Sequence, residues 1–229
     1  MKRIYNVNDN YFNKIDNEEK AYWLGFLMAD GCIQERSGQD RIQLVLAIKD
    51  KDLLEKYKLA LGFTGPTNDN QKKSGPFTGL WYSKISITSQ KLVDSLAKYG
   101  CVPRKSLILT FPKIRKSLVR HFIRGYFDGD GSVFISQEKH WRNGNIFPVI
   151  HYRFAGTKSF LEELNKQINL NGRLTRPKGN KVYELAYKRN KKLISFYNYL
   201  YKDATVFLER KKAIFDLHMQ ERCSETIIS

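Results

Sequence analysis

The chain has 229 residues, 41% of them hydrophobic, and carries 40 Lys and Arg against 23 Asp and Glu, a net charge of +17. This length and apolar content suit one large or two modest globular domains and exclude global disorder. A positive surplus spread along the whole chain is the electrostatic footprint of a nucleic-acid binder, favoured here over a merely basic surface or a protein of anionic membranes.

In chain order, "NEEKAYWLGFLMA" (17–29) predicts a helix with acids in its first turn and Asp16 or Asn17 as cap. "RIQLVLAIK" (41–49) alternates, with Ile42, Leu44, Leu46 and Ile48 on one face, as a half-buried strand does. "KDLLEKYKLALG" (51–62) is an amphipathic helix stopped by Gly62. "YSKISITS" (82–89) is a second alternating strand, and "SQKLVDSLAKYG" (89–100) a helix capped by Ser89 and stopped by Gly100. The stretch "LTFPKIRKS", marked by Pro112, is loosely patterned and basic, as a linker is.

The order then recurs. "KSLVRHFIRGYFD" (116–128) is a helix, "GSVFIS" (131–136) and "VIHYRFAG" (149–156) are strands, and "KSFLEELNKQI" (158–168) is a helix. "KVYELAYK" (181–188) is a strand, "KKLISFYNYLYK" (191–202) a helix, and "LERKKAIFDLHMQER" (208–222) a last helix. Two α+β units of the form αββαββα follow, related by a pseudo-two-fold, with residues 1–111 as the first subdomain, 112–117 as linker and 118–229 as the second.

The repeat is sharpest in two nonapeptides, "WLGFLMADG" at 23–31 and "IRGYFDGDG" at 123–131. A glycine inside an apolar helix costs up to about 1 kcal/mol relative to alanine and needs a reason. Gly25 and Ala29, like Gly125 and Gly129, are four apart and share one helix face. Small residues so placed let two backbones approach closely, and the natural partner of each helix is the other. Asp30 and Asp130 then emerge at the same end of the pair, where they repel unless a divalent cation shares them. "DGDGS" (128–132) is no calcium loop, because Val133 and Lys139 stand where that pattern needs Gly and Glu.

At these residues the chain resembles the LAGLIDADG homing endonucleases in their single-chain, two-motif form. Both nonapeptides carry the family's third-place glycine, small seventh residue, eighth-place acid and final glycine, and depart from it at Trp23, Met28 and Arg124. The resemblance implies two saddle-shaped antiparallel sheets in the DNA major groove, paired motif helices between them, and a staggered double-strand break in a long, non-palindromic double-stranded DNA target. It implies Asp30 and Asp130 as metal-binding acids for Mg²⁺, with Mn²⁺ or Ca²⁺ able to occupy the same sites and Ca²⁺ not supporting cleavage.

Family members place a lysine near each active site. Lys105 in "PRKS" and Lys211 in "ERKK" are the matched pair, while Lys49 resembles a further basic position whose second-half counterpart is Gly156.

Groove-reading candidates on strands and hairpins are Gln34, Arg36, Arg41, Gln43, Tyr82 and Lys84 in the first half. The second half supplies Gln137, Lys139, Arg142, Arg153, Arg173 and Lys188. Non-cleaving relatives of this fold, including maturases that bind their own intron RNA and transcription regulators, are the alternative, although pure binding does not require both acids. A monomer is expected, since the partner helix is already in the chain. No segment approaches the roughly 20 apolar residues of a membrane span. The N-terminus has no signal-peptide core, and Cys32, Cys101 and Cys223 form no C-x-x-C pair. The expected setting is a cytoplasm, an organellar matrix or a phage-infected cell, not secretion.

Overall fold

A computed structural model describes residues 4–188 and 193–227, with side chains as far as Gln220. The first half runs α1 (Glu18–Ala29), β1 (Cys32–Gln34), β2 (Arg41–Ala47), α2 (Lys51–Leu61), β3 (Asn68–Gln71), β4 (Trp81–Thr88) and α3 (Gln90–Ala97). The second runs α4 (Val119–Asp130), β5 (Ser132–Lys139), β6 (Ile146–Gly156), α5 (Lys158–Ile168), β7 (Arg173–Thr175), β8 (Tyr183–Lys188) and α6 (Leu193–Tyr201), followed by α7 (Glu209–Ile227). Each half builds one four-stranded antiparallel sheet, ordered β1-β2-β4-β3 and β5-β6-β8-β7. The architecture is α+β, with helices flanking two equivalent sheets.

Local chemistry sets most element ends. The Asn17 side chain accepts from the Lys20 amide and caps α1, while Asp16 pairs with the Lys20 ammonium at 3.0 Å. Ser89 caps α3 and Thr157 caps α5 in the same way, and α2 ends on Gly62 at φ 58°. The strand expected over 41–49 stops at Ala47, because 48–50 turn into a short 3-10 segment that leads into α2. The helix expected from Lys116 begins as a 3-10 turn over 116–118, at the end of the expected linker. Strands β1, β3 and β7 have three or four residues each, too short to show an alternating pattern. The first two residues of the helix expected at 191–202 lie outside the described residues.

Register decides which side chains leave the core. In β2, Ile42, Leu44 and Leu46 are buried, so Arg41, Gln43, Val45 and Ala47 face outward. Pairing of Val45 with Lys84 and Ala47 with Tyr82 places those two residues on the same outer face. In the second sheet, Phe134 opposite His151 and Ser132 opposite Arg153 face outward, while Val133 points to the core. Among the described residues, no helix is long and apolar enough to cross a membrane.

At the centre, α1 and α4 pack directly on one another. Residues 21–28 of α1 are buried on every side, which an apolar helix tolerates only when protein surrounds it. A Cβ on Gly25 would lie 2.0 Å from the Phe122 carbonyl oxygen, and one on Gly125 only 1.9 Å from that of Tyr22. A Cβ on Gly129 would meet the Ala29 Cβ at 2.4 Å. The two glycines are reciprocal: each occupies the same notch on the partner helix, one hundred residues apart in sequence.

Candidate active site

The helix pair delivers Asp30 and Asp130 to its shared C-terminal end, and both side chains reach solvent. Surrounding protein still crowds them. Burial, then the neighbouring Asp130 carboxylate, pushes the Asp30 carboxyl up to about 6, against the opposing pull of Lys211 and Lys105. Burial also raises Asp130, opposed by the same two lysines. Among the described residues neither carboxylate accepts a hydrogen bond or an ion pair, an unusual state for crowded acids.

Beneath the acids sit two buried lysines, reached by matched routes. The Lys105 ammonium, in the 3-10 turn after α3, donates to the Gly31 carbonyl. That of Lys211, in the first turn of α7, donates to the Gly131 carbonyl, and also to Phe127, Asp128 and Gly129 at 2.7, 2.8 and 3.0 Å. These carbonyls lie at or just past the C-terminal ends of the motif helices, where a cation meets the negative end of the helix dipole. Burial lowers the Lys211 ammonium to about 8 although Asp128, Asp30 and Asp130 oppose the shift. Lys49, unlike these two, is not buried. It stays exposed on the 48–50 turn, beside the outer face of the first sheet.

Each lysine segment is held by the opposite half of the molecule. Thr157, at the β6–α5 corner, donates to the Leu109 carbonyl at 2.5 Å, four residues beyond Lys105. Asp50, at the matching β2–α2 corner, takes both forks of Arg210 at 2.9 and 3.2 Å, next to Lys211. The second tether is a bidentate charged pair and the first a single neutral hydrogen bond, so the two lysine positions differ in stiffness. Spacing alone does not reveal Asp50 or Arg210, because their partnership spans 160 residues.

The motif's departures have structural reasons. Arg124 is fully buried and donates to Glu18 at 2.7 Å, to Leu200 at 2.8 Å and to Val206 at 2.9 Å, tying the start of α1 to the segment before α7. Asp128 is also buried and accepts from the Leu208 amide at 2.7 Å and the Tyr22 hydroxyl at 2.9 Å. In the first copy the sixth place is Met28, which needs no such partners.

The first sheet's outer face carries Arg41, Gln43, Tyr82 and Lys84, and Gln34 lies opposite Arg41 across the β1–β2 ladder. Gln34 donates to Gln43 and Gln43 to Ser86, each at 3.3 Å, a polar row held in place before any ligand arrives. Arg36 lies just past β1, with its amide on Asp40. The second sheet's outer face holds Arg153, Arg173 and Lys188. Arg153 pairs with Glu184 at 3.7 Å and Lys188 with Glu138 at 2.8 Å. Gln137 and Lys139 fall on the strand face of Val133, so on β5 it is Phe134, Ser136 and Glu138 that share the outer face with Arg153. Arg142 lies in the β5–β6 turn, stacked on Trp141.

Cys32 and Cys101 are free thiols, the first exposed and the second buried, and the Cys223 side chain lies outside the described ones. Among the described residues no cluster of three or more His, Cys, Asp or Glu side chains forms a metal cage. A pair of unpartnered carboxylates fits a different arrangement, in which Mg²⁺ keeps waters and takes further oxygens from a bound phosphate.

Over this fold, the chain aligns with the I-LtrWI LAGLIDADG homing endonuclease bound to target DNA at a TM-score of 0.64, with 12% identity and 97% and 94% of the two chains covered. It aligns with I-SmaMI bound to an uncleaved DNA target in the presence of calcium ions at 0.57, with 15% identity and 91% and 93% coverage. In sequence it is 28% identical over 139 residues to the replication factor C small subunit of Methanocaldococcus jannaschii, a stretch amounting to 56% of this chain and 7% of that protein. Residues 17–99 and 117–200 each match the LAGLIDADG-like domain, so the chain belongs to the LAGLIDADG family in its two-repeat form.

Proposed function

We propose that this protein is a site-specific DNA endonuclease that acts as a monomer and breaks both strands of a long, non-palindromic duplex in a metal-dependent, staggered cut. The observation that carries the reading is the pair of unpartnered, solvent-reaching carboxylates of Asp30 and Asp130, each set above a buried lysine. Pure binding needs neither the acids nor the expense of burying two ammonium groups beside them.

Asp30 and Asp130 are the residues that would hold Mg²⁺, which when bound neutralises charge on the attacking and leaving oxygens of a phosphodiester. The protein's own part is positional and electrostatic. Paired helices fix the two carboxylates, so that each faces the phosphate of one strand. Lys105 and Lys211 are anchored on motif carbonyls and act as fixed positive charges that stabilise the negative charge developing on the phosphate. Lys211 commits its protons to four carbonyls, which favours this role over proton abstraction from water. The outer faces of the two sheets read base edges on either side, and their different side chains favour an asymmetric target.

The test is cleavage of a randomised duplex library in Mg²⁺, with Asp30→Asn and Asp130→Asn in parallel. Enrichment of one long site with staggered ends, lost in both variants and absent in Ca²⁺, is the expected result. Site-selective binding without cleavage in Mg²⁺ or Mn²⁺ would sink the nuclease reading and leave a binding protein of the same fold.

A further inference from the structure

The outer face of the first sheet ends in a concavity of about 850 Å³ between the strands and the β3–β4 turn. Its apolar wall is formed by Val45, Ile48, Phe77, Leu80 and Trp81, which are exposed by 41, 39, 59, 60 and 52%. The turn that carries Phe77 and Leu80 is ordered by backbone hydrogen bonds, Gly79 to Lys72 at 2.9 Å and Leu80 to Phe77 at 3.2 Å. Five large apolar side chains facing water in one place, three of them on or beside a structured turn, form a contiguous patch of the kind that marks an interaction surface.

Charge and position identify the occupant. Lys49, Lys72 and Lys84 also line the concavity, and among the described residues its lining includes no acid. A basic ring selects a polyanion over a neutral protein surface or a second +17 copy of this chain. The same concavity includes Gln43, the middle of the polar row on the outer face, so it continues that surface. In the major groove of unmodified DNA, the one apolar group presented on a base edge is the C5-methyl of thymine.

Resting on the endonuclease reading of this face, we infer that the first half of the protein selects thymine within its half-site by burying C5-methyl groups in the concavity walled by Val45, Phe77, Leu80 and Trp81. Lys49, Lys72 and Lys84 hold the flanking phosphates and supply affinity, and the apolar wall supplies the discrimination. Lys49 thereby has a role on the groove-facing surface, consistent with its exposure.

The experiment uses the full chain and the duplex recovered from the randomised library, in Ca²⁺ so that binding is read without cleavage. Thymines of the half-site contacted by residues 1–111 are replaced one at a time by uracil, which removes only the methyl. Burying one methyl is worth about a fourfold change in affinity. The expected result is a loss of that size at one or two positions. In the Phe77→Ser/Leu80→Ser double variant, both of whose sites are exposed, thymine and uracil duplexes should bind alike.

Retained discrimination in the double variant, no uracil effect in the first half-site, or no enrichment of thymine there would overturn the inference while leaving the endonuclease reading intact. Failure of the full chain to bind any duplex would overturn both. Concentration-dependent dimers of the wild type, abolished in the double variant, would assign the patch to self-association instead and so refute it.

Discussion

Gly125→Ala tests whether the two halves are joined by backbone contact. The added Cβ would lie 1.9 Å from the Tyr22 carbonyl oxygen, 2.8 Å from its carbon and 3.0 Å from the Phe26 nitrogen. All three atoms are backbone, so no rotamer change relieves the clash, and the helices must separate by more than an ångström at their closest point. Overpacking of this kind costs about 1–3 kcal/mol where side chains give way, and the upper end applies where they cannot. Alanine returns up to about 1 kcal/mol of helix propensity. The net loss is about 2 kcal/mol or more, or a fall of roughly 4–8 °C in Tm for a chain of this size. Urea denaturation gives the free energy and thermal scans the midpoint. Gly25→Ala, in the reciprocal notch, should cost a similar amount. The double variant should cost less than the sum, because the first substitution already separates the helices. A Gly125→Ala protein with an unchanged midpoint would refute the close approach.

Three further outcomes follow from the site. Asp50→Ala removes the bidentate partner of Arg210, whose side chain is 41% exposed and therefore partly rescued by water, so thermal melts should show a loss of only about 1–2 kcal/mol. Cleavage of one strand should slow more than the other, because only Lys211 is held this way, and equal slowing of both strands would argue against it. His121 is pushed down to about 4 by burial and by the adjacent Arg124, so between pH 6.5 and 4 the folded state binds fewer protons than the unfolded one. Stability should fall on acidification through that window by on the order of 2–3 kcal/mol more in wild type than in His121→Gln, read by denaturation at pH 7 and 4.5. With the Asp30 carboxyl raised to about 6, Mg²⁺ or Mn²⁺ affinity measured by calorimetry should weaken as pH drops through 6, with proton release on binding near that pH. A flat profile between pH 7.5 and 5.5 would count against Asp30 as a ligand.

Much of the architecture was legible in the chain because it depends on short-range rules. Asn17, Ser89 and Thr157 cap helices whether or not the rest of the protein is known. Alternation in 41–47 and 82–88 marks strands with one buried face. The duplicated nonapeptides carry their own message, since small residues four apart in a largely apolar stretch of helix are intelligible only against a second helix. Strands of three or four residues such as β1 and β7 escape any pattern, because an alternation needs more positions than they have.

Tertiary structure decided the rest, for reasons that no local spacing encodes. Arg124 reads as a flaw in the second motif until its four partners, on α1, α4, α6 and the segment before α7, are brought around it; a buried guanidinium is stable only when its donors are matched. The face assignment of Gln137 and Lys139 depends on a register set by β6, where a shift of one residue reverses the side a residue faces. The chain by itself determined that two equivalent units would present two acids through one helix pair. Only the folded molecule decided which distant residues, Asp50 with Arg210 and Thr157 with Leu109, hold the lysines beneath those acids, because such contacts are made by packing between the halves.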